Sequence, residues 1–131
     1  MYVKSHIQTL INFLGDPNRW TKHHWAKDSN GREVFNVYTG VKFDIIGAIC
    51  YLFDNKVAAA VKRYLESYLY INANKYLHAD VFNPPKHKGP RFDWGNLAKF
   101  NDESEHAFIM LFLSDAMNEA VSSDTMQLLA R

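Results

Sequence analysis

Cysteine is almost absent: the 131-residue chain has Cys50 alone, so no disulfide can form within it. A lone thiol suits a reducing compartment. Long hydrophobic runs are missing too, and no window approaches the roughly 18 apolar residues needed to cross a bilayer. The opening MYVKSHIQTLINFLG lacks the unbroken apolar stretch and small-residue cleavage site of a signal peptide. These absences point to the cytoplasm, of a cell or of an infected host, with no membrane partner. With six glycines and neither GxxxxGK nor GxGxxG, no phosphate-cradling loop is spelled out. HExxH, CxxC, GxSxG and EF-hand spacings are absent as well, and no cofactor is expected. Neither sign of charge is in excess, since 15 Lys and Arg against 14 Asp and Glu give a net charge of +1. That balance supplies no general drive toward nucleic acid, which is not an expected partner. A short basic patch at Lys86, His87, Lys88 and Arg91, broken by Pro90, is the local exception.

Apolar and aromatic side chains are plentiful, at 47% and 15% of the residues. That is enough apolar material to offset the entropy of ordering the chain. Val3, Ile7, Leu10, Ile11 and Leu14 recur at helical spacing, and Gly15 with Pro17 ends that first helix. Asp28-Ser29-Asn30-Gly31 is a turn signal between flanks rich in Trp, Val, Phe and Tyr, which predicts a short β-hairpin. Asp44 is placed to cap a helix of Ile45, Ile46, Ala48, Ile49, Leu52 and Phe53, apolar nearly all round and therefore buried. Gly47 inside it suggests a close approach by another helix. A longer helix is expected from about Val57 to Tyr70, with Val61, Tyr64, Leu65, Tyr68 and Leu69 on one face. Residues 78–99 hold three of the four prolines and read as a loop pinned by Phe82, Phe92 and Trp94. Asp102 and Glu105 have capping-box spacing ahead of a helix through Ala116, and Ser123-Asp124 opens a short terminal helix. The expectation is a mainly α fold: one compact helical domain spanning 1–131, with a short β-hairpin between its first and second helices.

Two groups of segments carry a resemblance. The first is Trp20-Thr21-Lys22, Ala26 to Val34 and Phe43 to Ile49; the second is Phe100-Asn101-Asp102 with Glu105-His106 and Ala116. In order and spacing they resemble domain of unknown function 6197, a family of small bacterial and phage proteins. Its pattern runs Gly-Trp, an Asp-x-x-Gly turn, an aromatic-Cys-x-x-Gly-Ala helix start and a Trp-Asn-Asp segment before a last helix. The match covers about a third of the chain. Asn18-Arg19 precedes Trp20 where the family has Gly, and Asp44 stands where Cys is frequent, so no thiol chemistry carries over. The resemblance brings no known activity; it implies a phage or bacterial accessory protein.

Several polar constellations are candidates for chemistry. Asn101, Asp102 and His106 sit near a predicted helix start, where a carboxylate could orient an imidazole or share a metal with it. The plainer alternative is that Asp102 caps the helix and His106 is solvated. His24 with Asp102 and His106 is the candidate metal set, with His23 and Asp44 as substitutes. In an extended segment His23 and His24 would face opposite sides, so only one could join a given site. Lys22, Asp44 and Asp102 form a candidate acid–base cluster, or else an ion pair tying the hairpin to two helix starts. Cys50 reads as a buried, inert thiol. Tyr70, Phe92 and Trp94 are candidate recognition residues. The function expected is that of a small non-catalytic accessory protein, phage- or mobile-element-encoded, that docks on a host or viral protein or on a second copy of itself. The alternative is a small hydrolase or metal-assisted enzyme using Asp102, His106 and His24.

Overall fold

The computed structural model describes residues 3–76 and 95–120. The expectations for residues 78–94, including the proline cluster, the basic patch, Phe92 and Trp94, and for the terminal helix after Ser123 lie outside the described residues. Within them the fold is mainly α, with six helices and one two-stranded antiparallel ribbon early in the chain. The order is α1 (Val3–Leu14), β1 (Ala26–Lys27), β2 (Lys42–Phe43), α2 (Ile45–Leu52), α3 (Asn55–Ile71), α4 (Ala73–Tyr76), α5 (Gly95–Glu103) and α6 (His106–Glu119).

The apolar spacing of α1 does what helical periodicity requires: Val3, Ile7, Leu10 and Leu14 are buried, and the helix packs most extensively on α6. α2 buries five consecutive residues, Ile45 to Ile49, in the middle of the molecule. Its start is set by Asp44, whose Oδ1 accepts the Gly47 N–H at 2.6 Å, and α3 begins the same way with Asp54 accepting from Val57 at 2.8 Å. Val61, Leu65 and Leu69 of α3 meet Leu97 and Phe100 of α5 and Ile109, Phe112 and Leu113 of α6 in one apolar cluster. Phe100 and Phe112 lie 4.8 Å apart, and each such buried ring stabilises the fold by about 2–3 kcal/mol.

Four expectations need correction. Residues 95–99, read as the end of the proline-containing loop, are helical and open α5, because the helix-breaking prolines all precede Gly95. The turn at Asp28 to Gly31 is present, with Gly31 at φ 79° and its N–H bonded to the Asp28 carbonyl. However, the ladder it was expected to close is only an isolated bridge between Lys27 and Glu33, and the paired strands β1 and β2 join residues 26–27 to 42–43. Between them the chain makes a further excursion through a 3-10 turn at Val37–Thr39, capped by Asn36. Asp102 does not open the last helix. It lies in the final turn of α5, the break falls at Ser104–Glu105, and Glu105 precedes α6 without a side-chain cap bond. Asp102 and His106 are therefore not i, i+4 neighbours on one helix. Cys50 is half-buried rather than fully enclosed.

Gly47 does mark a close approach, but to the backbone of the insert rather than to another helix. A Cβ there would stand 1.8 Å from the Trp25 carbonyl oxygen and 2.6 Å from its carbon. Neither atom belongs to a flexible side chain, so Gly47→Ala must displace the insert from α2. The expected cost is about 3 kcal/mol in urea unfolding. Gly31→Ala, at a positive φ in open space, should cost only about 1 kcal/mol. Equal losses for the two variants would contradict the close packing of Trp25 on α2.

Candidate functional site

The insert between α1 and α2 returns to the core through Trp20 and Thr21, which lie beside Phe43: the Thr21 N–H bonds the Phe43 carbonyl at 3.0 Å. Against this corner α5 places Asn101, which is completely buried. Its carboxamide uses both ends. Oδ1 accepts the Trp20 Nε1–H at 2.9 Å and the Ile45 N–H at 3.2 Å. Nδ2 donates to the Thr21 carbonyl at 3.1 Å and, more weakly, to Asp102 Oδ1 at 3.4 Å. The Ile45 N–H is one of the donors a helix start leaves unpaired. Asn101 therefore caps α2 from another helix while Asp44 caps it from its own chain.

The neighbouring groups are engaged in the same way. Asp102 Oδ1 accepts the His23 N–H at 2.7 Å, and its Oδ2 lies 3.8 Å from the His23 imidazole. Among the described residues, His23 is the non-glycine one with positive φ, at 73°, a left-handed conformation that favours glycine and that the Asp102 bond holds in place. His106 Nε2 is 2.7 Å from the Leu14 carbonyl at the end of α1. A carbonyl only accepts, so Nε2 carries a proton and ties α6 to the α1 terminus; His106 is not simply solvated. Lys22 pairs with the exposed carboxylate of Glu105 at 3.6 Å and sits 5.6 Å over the Trp20 ring, instead of bridging Asp44 and Asp102. His24 turns to Glu33, with Nδ1 3.3 Å from Oε1.

Asp44 is 3% exposed, and burial pushes its carboxyl up to about 7. The Gly47 N–H opposes that shift, the nearby Asp102 carboxylate adds to it, and the Ile46 N–H and Lys62 oppose it more weakly. A folded-state value raised from 3.8 stabilises the protonated native form. The associated stability is complete below about pH 4 and is lost as the pH rises through 7.

The structure thus brings Lys22, Asp44, Asn101, Asp102 and His106 to one corner around Trp20, but it spends them on caps and chain ties. His24 belongs to a different pairing, and no group of three His, Cys, Asp or Glu among the described residues is placed to hold a metal. Tyr70 is 44% exposed on α3, away from this corner.

Sequence reasoning missed three features. Glu66, wholly buried on α3, accepts the Leu97 N–H of α5 at 3.1 Å; its place between Leu65 and Leu69 on the apolar face was the available signal. The Tyr76 hydroxyl donates to Asp115 at 2.5 Å and Lys75 joins that carboxylate at 2.8 Å, tying α4 to α6. Finally, the insert displays large apolar side chains. Phe35 is 94% and Trp25 55% exposed, and Tyr38 and Val41 are exposed as well. His23, His24, Trp25, Glu33, Val34 and Phe35 line one open cleft of about 330 Å³. Both histidines reach it because the left-handed residue His23 breaks the alternation of an extended strand.

Comparison with protein-family models, with curated proteins and with solved structures found no match to the chain.

Two consequences can be measured. Asn101→Ala strands the buried Ile45 and Thr21 groups and should cost about 3–4 kcal/mol in chemical unfolding. A loss below about 1 kcal/mol would mean the amide is not the tie described. Asp44→Asn keeps the cap and removes the buried charge. It should leave the unfolding midpoint unchanged at pH 4 and raise stability by up to about 4 kcal/mol at pH 8. An equal effect at both pH values would rule out the buried carboxyl as its cause.

Proposed function

We propose that this chain is a small non-catalytic accessory protein that docks on another protein, with the insert between α1 and α2 as its docking face. The observation that carries this reading is the exposure of Phe35 and Trp25 beside a cleft with polar rims at His23, His24 and Glu33. Water gains nothing from an exposed phenyl and indole, whereas a partner's apolar side chain seated between them would bury both. The insert is held at both ends by Asn101, Asp102 and α2, so such a face is displayed with little ordering cost on binding.

The polar corner supports the same reading. A catalytic Asn101 would need hydrogen-bonding capacity left for a substrate, and its amide is already bonded at both ends. The hydrolase built on Asp102, His106 and His24 draws no support from three side chains with three separate partners. The resemblance to domain of unknown function 6197 supports a phage or mobile-element origin. On that footing the partner is a host or viral protein in the host cytoplasm, and interference with host defence is one use of such docking.

Affinity capture from the natural host tests this, with tagged wild type, Phe35→Asp, Trp25→Ala and Tyr70→Ala compared at matched thermal stability. One defined protein should be held at fixed stoichiometry by wild type and Tyr70→Ala, and at least 30-fold less tightly by Phe35→Asp, the loss of about 2 kcal/mol expected of a central aromatic anchor. A partner retained by both insert variants would move the docking face elsewhere. Self-association lost in Phe35→Asp would identify the partner as a second copy.

A further inference from the structure

The outer face of the insert carries positive charge that the chain itself does not balance. Ala26 and Phe43 are partners across the β1–β2 ribbon, and both are buried. Side chains alternate along a strand, so their neighbours Trp25, Lys27 and Lys42 turn outward. Lys27 and Lys42 are themselves partners in the register, which sets two like charges directly opposite one another and weakens the ladder. On its other side Lys27 bridges Glu33, but that carboxylate is taken by His24 at 3.3 Å. Among the described residues no carboxylate forms an ion pair with Lys27, Arg32 or Lys42. Residues 20–43 hold four Lys and Arg against two Asp and Glu, whereas the rest of the chain holds 11 against 12, so the excess of cations belongs to the insert.

We infer that the docking face takes an extended, acidic segment of its partner protein. One apolar side chain of that segment enters the cleft between Trp25 and Phe35, and an Asp or Glu two or three residues along it lies across Lys27 and Lys42. Spacing sets the interval. Glu33, Lys27 and Lys42 stand on adjacent extended segments about 5 Å apart, which puts the middle of the lysine pair roughly 7 Å from the edge of the cleft. An extended chain rising about 3.3 Å per residue covers that distance in two or three residues. A carboxylate seated there attracts both ammonium groups and offsets their mutual repulsion, so the face gains more from an acidic segment than from a neutral one. Nucleic acid fits less well. It carries a phosphate beside every base, and a base stacked on Phe35 brings one against Glu33, whereas a peptide can leave that position uncharged. The assignment rests on the insert being the docking face.

Selection of random peptides displayed on phage against the full chain tests it, followed by fluorescence anisotropy of the enriched sequences as synthetic peptides. Those sequences should combine an aromatic or aliphatic residue with Asp or Glu two or three positions along. Lys27→Glu with Lys42→Glu should weaken the peptide about tenfold, and Lys27→Gln with Lys42→Gln about threefold. The peptide with Lys in place of its acidic residue should bind the doubly reversed variant better than it binds wild type. Thermal unfolding shows that each variant has folded. The inference is overturned by an empty selection, by enriched sequences without an acidic residue at that interval, by affinity indifferent to both double variants, or by an oligothymidine that binds more tightly than the peptide. Apolar peptides without acidic residues that are lost in Phe35→Asp would keep the docking face and reject its acidic preference. Acidic peptides held equally by Phe35→Asp would reject both.

Discussion

One carboxamide, that of Asn101, bonds three distant pieces of chain at once: the Trp20–Thr21 end of the insert, the start of α2 and its own helix α5. Its oxygen holds an indole and a helix-start amide, and its nitrogen holds a carbonyl of the insert. The interaction is demanding because the site is dry: each bond contributes only about 1 kcal/mol net, yet any partner left unpaired costs more than that. Asparagine is suited to the position because it offers donor and acceptor on one planar group without a charge to desolvate. Once it is seated, α5, the start of α2 and the return of the insert have one mutual arrangement. The helices can then close a core of aliphatic and aromatic side chains over it.

The insert is shaped by that constraint. Gly47 lets the Trp25 backbone lie on α2, Asp44 and Asp102 grip it on either side, and His23 takes a strained conformation between them. Its buried edge is therefore fully specified, while its outer edge carries Phe35 and Trp25 into solvent. This closely anchored segment, apolar on its outer side, is the docking face proposed above.

Much of the helical frame was legible in the sequence. The spacing of Ile7, Leu10 and Leu14, the cap at Asp44, and the uniformly apolar stretch after it are local signals, and local signals suffice for helices. The corner residues could also be named, because polar groups in otherwise apolar surroundings are conspicuous: Trp20, Asp44, Asn101 and Asp102 do meet. Their roles were less accessible. Asp102 has the spacing of a cap to the last helix, but a helix break at Ser104 assigns it to α5, and spacing alone cannot distinguish the two sides of a break.

What the sequence by itself determined is a mainly helical chain with a short, aromatic-rich β-hairpin between its first and second helices, since periodicity and turn chemistry depend on neighbours a few residues apart. Only the tertiary structure decided that the polar corner is bound up in ties, that both histidines share a cleft, and that Phe35 and Trp25 stand outside. Those outcomes depend on contacts between residues far apart in the chain, such as Trp20 with Asn101, 81 residues apart, and Leu14 with His106, 92 apart. Burial and exposure are properties of that three-dimensional closure, and a residue's chemical type does not disclose which side of it the residue will occupy.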